Sequence, residues 1–301
     1  MLGKRLISAA VIVSVMILLL RIDFWLGTES VFGRCGLVVA ALAILTAAMA
    51  GDELAAMFES AASKVNRLTL MFSAVVMVAI TVSPALWKAY PADCVLGRFG
   101  FGLAGLVAGM VIVILSEMAN YQAVGQGRGE VIERMGVSAF ALIYLNILFT
   151  FLIAHRYLDR NAVGLMTIVT MLTTVKVSDA AAYFVGKSFG TVKLAPALSP
   201  GKTVQGSLGG LIGGCFGAGL IVWFISPVII GVELGKPWWW VFLYGTLVTL
   251  AGMFGDLAES LLKRDSGTKD SSTWLPGLGG ILDVIDSLVF AAPVSFLLWI
   301  F

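Results

Sequence analysis

Long unbroken apolar runs, separated by short polar stretches, dominate this chain. Runs near 6–26, 35–51, 68–87, 99–116, 135–154, 161–185, 207–232, 238–255 and 281–301 approach the length needed to cross a bilayer, roughly 20 residues for a helix. They are continuous rather than alternating, which argues for helices over barrel strands. The pattern predicts an all-α, polytopic integral membrane protein with about nine transmembrane helices. Lys4 and Arg5 ahead of the first run look superficially like the start of a signal peptide. No clear small-residue cleavage site follows before Arg21 and Asp23, so the first run is expected to persist as a helix.

Composition agrees with that reading. Charged residues make up only 13% and hydrophobic ones 59%, where a soluble domain carries about 25% charged. A net charge of +2 implies no nucleic-acid partner. Cys35, Cys94 and Cys215 are scattered without a C-x-x-C spacing, so neither a disulfide nor a zinc framework is expected. His155 is the only histidine, which excludes a His-rich metal site; at the end of a run it reads as an interfacial residue on the outer face.

Basic residues set the orientation. With the N-terminus inside, the inner segments hold twelve Lys and Arg and the outer segments seven, Lys176 being set aside as intramembrane. The expectation is a multi-pass protein of the cell (inner) membrane with a cytoplasmic N-terminus. Residues 1–155 read as scaffold helices with solvated connectors and no catalytic constellation. Residues 156–301 read as the catalytic membrane domain, whose polar loops 186–206 and 256–280 both face the cytoplasm.

Glycine spacing speaks for packing rather than nucleotide binding. Gly206, Gly210, Gly214 and Gly209, Gly213, Gly217 form interleaved small-x-x-x-small ridges on one span, suited to close helix contact. Gly100, Gly102 and Gly105 fit G-x-G-x-x-G only formally, since no strand precedes them. Ser199 to Thr203 is no Walker A loop, because Pro196 stands where its first glycine belongs; a lysine and hydroxyl beside a turn can still bind phosphate.

The remaining charges carry the chemistry. Lys176 and Asp179 interrupt an apolar run, each costing roughly 2.5–3.5 kcal/mol if central, and their spacing allows them to pair. Asp256, Ser260 and Lys263 fall about one turn apart, so a continuing helix lines them on one face with Glu259 alongside. Asp283 and Asp286 likewise share a face at the start of the last run. Carboxylates meeting at the cytoplasmic ends of two spans suit Mg2+, which takes hard oxygen ligands. Lys263, Arg264 and Lys269 offer counter-charge to phosphate oxygens, and Gly277 to Gly280 let backbone approach a ligand closely. Together these read as metal-assisted phosphoryl or nucleotidyl transfer. A membrane carrier using Lys176 and Asp179 is the non-enzyme alternative, although carriers commonly show polar breaks in both halves.

Two ordered blocks also carry a family resemblance. The run Ser260-x-Leu262-Lys263-Arg264-x4-Lys269-Asp270-x-Ser272-x2-Leu275-Pro276-x2-Gly279-Gly280-x2-Asp283-x2-Asp286 resembles the signature of phosphatidate cytidylyltransferases, the CDP-diacylglycerol synthases. Ser178-Asp179, Ala182-Tyr183-Phe184, Gly186, Phe189-Gly190, Lys193 to Pro196, Ser199-Pro200, Lys202-Thr203 and Gly206 resemble a second block of that family. The resemblance implies Mg2+-dependent transfer of a cytidylyl group from CTP to phosphatidic acid at the lipid bilayer, with release of pyrophosphate. It implies metal ligation by Asp256 and Asp283, catalytic roles for Lys263, Arg264 and Asp286, and substrate contacts from Asp179, Ser199, Lys202, Thr203, Ser260, Lys269, Asp270, Gly279 and Gly280. It leaves room for a homodimer. The chain departs from the family pattern at Ala181, Gly201, Gln205, Leu278 and Val284. Related alternatives are a CTP-dependent polyisoprenoid kinase and a cytidylyltransferase for another lipid phosphate.

Overall fold

The computed structural model of the chain describes residues 18–19, 21–23, 25, 36–61, 65–86, 94, 96–121, 129–156, 158, 162–268, 271–272 and 279–301. Among these, seven helices are long and apolar enough to span a membrane: Leu37–Ser60, Phe99–Asn120, Glu130–Arg156, Ala162–Phe189, Val204–Val228, Trp238–Asp265 and Leu282–Ile300. The expected run at 68–87 is a shorter apolar helix, Arg67–Val82, and most of 6–26 lies outside the described residues. The chain is a polytopic helical membrane protein.

We label the helices α1 (Leu37–Ser60), α2 (Arg67–Val82), α3 (Gly97–Asn120), α4 (Glu130–Arg156), α5 (Ala162–Phe189), α6 (Val204–Gly219), α7 (Trp238–Asp265) and α8 (Leu282–Ile300). A hairpin of β1 (Lys193–Ala195) and β2 (Ser199–Thr203) joins α5 to α6. This small antiparallel pair is an addition to the expected all-α fold. Beyond α6 the helix widens into a π-helical run, Leu220–Ile230, that contains Pro227. Proline has no N–H to give the ladder, and a left-handed Gly231 closes the run by donating to the Ser226 carbonyl.

The residues fall into two compact units, Met1–Ala154 with Leu262–Val284, and His155–Leu261 with Ile285–Phe301. In the first unit α1, α2, α3 and α4 pack as antiparallel neighbours through small residues. A Cβ on Gly51 would lie 3.2 Å from the Ala74 Cβ, and one on Gly109 3.3 Å from the Ser73 carbonyl oxygen. Buried Asp23 caps α1 by accepting from Val38 N at 2.9 Å, an acid at a helix N-terminus. Arg134 of α4 grips Glu117 of α3 at 2.8 Å.

In the second unit the glycine ridges of α6 meet their neighbours as expected. Gly209, Gly213 and Gly217 face α5, where added Cβ atoms would crowd Val185, Ala181 and Val177 in turn. Gly210 and Gly214 face Met253 and Thr249 of α7. Rising along α6 means descending along both partners, so α6 runs antiparallel to α5 and to α7. His155 departs from expectation: it is fully buried, its Nε2 2.8 Å from Ser295 Oγ, which also lies 2.7 Å from Tyr244 OH. A hydroxyl partner inside the bundle makes that burial affordable for a polar ring.

Candidate functional site

Helices outlast hydropathy at the polar ends of the second unit. α5 continues past residue 185 to Phe189, and α7 past 255 to Asp265, so the expected 256–280 loop is helical for its first ten residues. α7 therefore presents Asp256 and Glu259 from one helical stretch. A Cβ on Gly255 would clash with the Asp286 carbonyl oxygen at a separation no real Cβ shows; only glycine lets α7 and α8 approach so closely, and Asp286 arrives beside Asp256 as a result.

One carboxylate oxygen from each of Asp256, Glu259 and Asp286 lies within 4.8 Å of the others. Glu259 is 1% exposed and Asp286 7%, while Asp256 is half-buried. Lys202 Nζ, brought in on β2, sits 2.5 Å from Asp256 Oδ2. On α5, Lys176 pairs with Asp179 at 3.4 Å. Asp179 feels the charges of Asp256 and Lys202, and Asp286 those of Asp256, Asp179 and Lys176. Four carboxylates against two ammonium groups leave a formal charge of −2 when all are ionised. Like charges this close repel unless neutralised, and an all-oxygen donor set of this size fits a hard divalent cation. The group can hold a divalent metal.

The first unit builds a different constellation. Lys263 Nζ contacts Asp283 Oδ1 at 2.7 Å, both side chains being mostly buried. Asp283 Oδ2 accepts from Gly280 N at 2.7 Å and from Ser271 N at 3.1 Å, with Ser271 Oγ at 2.8 Å. Asp283, expected to share a cation with Asp256, thus has both oxygens engaged by donors at the start of α8. Within the second unit the acids grouped with Asp256 are Glu259 and Asp286. The contacts of Asp283 have a local cause: a carboxylate in the first helical turn reaches back to the open N–H groups of that end.

Sequence reasoning also missed Glu53. It sits in the last third of α1, is 2% exposed, and accepts from Ser272 Oγ, Ile281 N and Leu282 N at 2.7, 2.8 and 2.9 Å. The N-terminal half was expected to be plain scaffold; the one signal against that was an acid pair, Asp52-Glu53, following an apolar run.

Other expected site residues have varied positions. Thr203 is buried and caps α6, its Oγ1 accepting from Gly206 N at 3.1 Å, which ties it to the hairpin's geometry. Ser199 opens β2, paired with Ala195. Ser260 is buried on α7 and Arg264 exposed near its end. Gly279 has φ 89°, a left-handed turn that favours glycine. Lys269 and Asp270 lie outside the described residues, as does Leu278. Gln205 accepts from Thr191 N and Val192 N at 3.1 and 3.2 Å and donates to Thr191 Oγ1 at 2.7 Å, closing the hairpin's entry. A Cβ at Gly201 would meet nothing within 4 Å.

Known proteins resemble this chain in sequence. The chain is 37% identical over 166 residues to the phosphatidate cytidylyltransferase of Bacillus subtilis, covering 55% of this chain and 58% of that protein. It is 36% identical over 160 residues to that of Chlamydia trachomatis, 53% of this chain and 50% of the relative. With that of Haemophilus influenzae the identity is 41% over 131 residues, 43% and 44% of the two lengths. The chain thus spans about half the length of the curated relatives it matches. The model of the cytidylyltransferase family matches residues 4–301, and the chain belongs to that family.

Proposed function

We propose that the protein transfers the cytidylyl group of CTP to phosphatidic acid, forming CDP-diacylglycerol and pyrophosphate, from the cytoplasmic side of the cell membrane. The observation that carries this reading is the ion pair of Lys202 with Asp256 beside the three grouped carboxylates. It joins residues from both family-like blocks in one oxygen-rich, mixed-charge cluster. Similarity to proteins named phosphatidate cytidylyltransferases supports the substrate pair.

In the proposed reaction a phosphate oxygen of phosphatidate attacks the α-phosphorus of CTP. A new P–O bond forms as the bond from that phosphorus to the bridging oxygen breaks, and pyrophosphate leaves with the electron pair. The attacking oxygen is already anionic, so no strong general base is required; positioning and charge neutralisation suffice. Asp256, Glu259 and Asp286 would hold Mg2+, which supplies Lewis-acid stabilisation of phosphate charge when bound. Lys202 and Lys176 keep the acid cluster from excess negative charge and offer ammonium groups to triphosphate oxygens. Asp283 fixes the Lys263 ammonium in one orientation, ready for a phosphate oxygen to compete for it.

The test is turnover by purified protein in detergent with radiolabelled CTP, phosphatidic acid and MgCl2. Label moving into the organic phase as CDP-diacylglycerol, with equimolar pyrophosphate, supports the proposal. CTP turnover independent of phosphatidate, or none at all, refutes it.

A further inference from the structure

We propose that Glu53 is a positioning residue of this enzyme, holding the Asp283–Lys263 pair in register from a helix otherwise given to scaffolding; the inference rests on the function proposed above. Glu53 lies in the last third of α1, next to Asp52, and is 2% exposed. An ionised carboxylate so placed is costly unless donors surround it. Four do: Ser271 Oγ at 3.0 Å, Ser272 Oγ at 2.7 Å, Ile281 N at 2.8 Å and Leu282 N at 2.9 Å.

The placement of those donors matters more than their number. Ser271 and Ser272 stand within the segment that leads from α7 to α8, and Ile281 and Leu282 stand where it enters α8. One side chain therefore ties the interior of the connection between Lys263 and Asp283 to its entry into α8. Ser271 continues the chain of contacts, since its N–H donates to Asp283 Oδ2 and its Oγ lies 2.8 Å from the same oxygen. The hydroxyl has a single proton, so it serves Glu53 and Asp283 by turns and links their positions. From Asp283 the link passes to Lys263 at 2.7 Å.

Gly280 gives independent support. A Cβ there would meet both Glu53 carboxylate oxygens and Ser271 Oγ at separations no real Cβ shows. The backbone at Gly280, which donates to Asp283, is bare where the Glu53 carboxylate needs room. Glu53 does not touch the groups proposed to react; it acts through Ser271 and the first turn of α8.

The test compares wild type, Glu53→Gln and Glu53→Ala in the full chain, reading the unfolding midpoint, kcat, and KM for CTP. Glu53→Gln is isosteric and keeps one acceptor oxygen, so it should stay folded while kcat falls about tenfold and KM changes less than about threefold, since misplacement of about 1 Å can cost a hundredfold in rate. Glu53→Ala should lose about a hundredfold by the same reasoning; should it not fold, Glu53→Gln carries the test. A Glu53→Gln protein with wild-type kcat and only a lowered unfolding midpoint overturns the inference, as does a rise in KM alone. A wild-type protein inactive on CTP and phosphatidate overturns the functional reading itself, whereas active wild type with an unimpaired Glu53→Gln variant overturns only the role of Glu53.

Discussion

Removing Lys263 and Asp283 singly and together probes how the first unit's charge pair is held. The two side chains are 14% and 12% exposed and 2.7 Å apart. Truncating one partner of such a pair typically costs about 3–5 kcal/mol, because the other charge stays buried. Asp283 keeps three further donors in Lys263→Met, from Ser271 N, Ser271 Oγ and Gly280 N. That loss should therefore fall to about 2–3 kcal/mol, given about 1.5–3 kcal/mol for each hydrogen bond to a charged group. Asp283→Asn loses charge toward the lysine and toward all three donors at once, so it should cost at least as much. The double variant leaves no ammonium facing a missing carboxylate. Its cost should undershoot the sum of the singles by about 1.5 kcal/mol or more, well outside the scatter for independent sites. Unfolding free energies from SDS titration in mixed micelles provide the assay. Additivity within about 0.5 kcal/mol would refute the idea that the pair is one buried unit.

Three further outcomes follow from the same geometry. Asp256→Asn and Asp286→Asn should each abolish Mg2+-dependent turnover while the protein stays folded, as read by size-exclusion profile and CDP-diacylglycerol formation; substantial activity in either contradicts the metal role. Gly213→Ala should destabilise by about 1–3 kcal/mol through overpacking, because its Cβ would crowd Ala181, whereas Gly136→Ala in α4, with nothing within 4 Å, should gain up to about 1 kcal/mol of helix propensity; thermal unfolding in detergent compares them. Ser295→Ala removes the hydroxyl between His155 and Tyr244 and should cost about 1–3 kcal/mol, the penalty for a buried polar group losing its partner.

Hydropathy revealed most spans because the bilayer imposes one length and one polarity on every crossing helix. It misjudged helix ends. α7 runs ten residues beyond the apolar stretch to Asp265, since a helix does not stop where its side chains become charged. Lys202, Asp256 and Asp286 were legible because their types and spacing state their chemistry. Glu259 was visible only as a neighbour of that face. Asp283 was legible as an acid in the first turn of the last helix, but its contacts with Ser271 and Gly280 were not, since spacing alone does not announce them. Glu53 was hidden for another reason. Its partners lie 218 to 229 residues away, and no local pattern announces a contact of that range. The end of a run located His155 along its helix, but its burial beside Ser295 is a packing fact that hydropathy does not carry.

Anomalous diffraction from crystals grown with Mn2+, which accepts the same oxygen donors as Mg2+, tests the central claim most directly. A peak is expected bonded to carboxylate oxygens of Asp256, Glu259 and Asp286, at about 2.0–2.3 Å for a divalent ion of this kind. Mn2+ bound at other residues, with these three carboxylates bare, would contradict it.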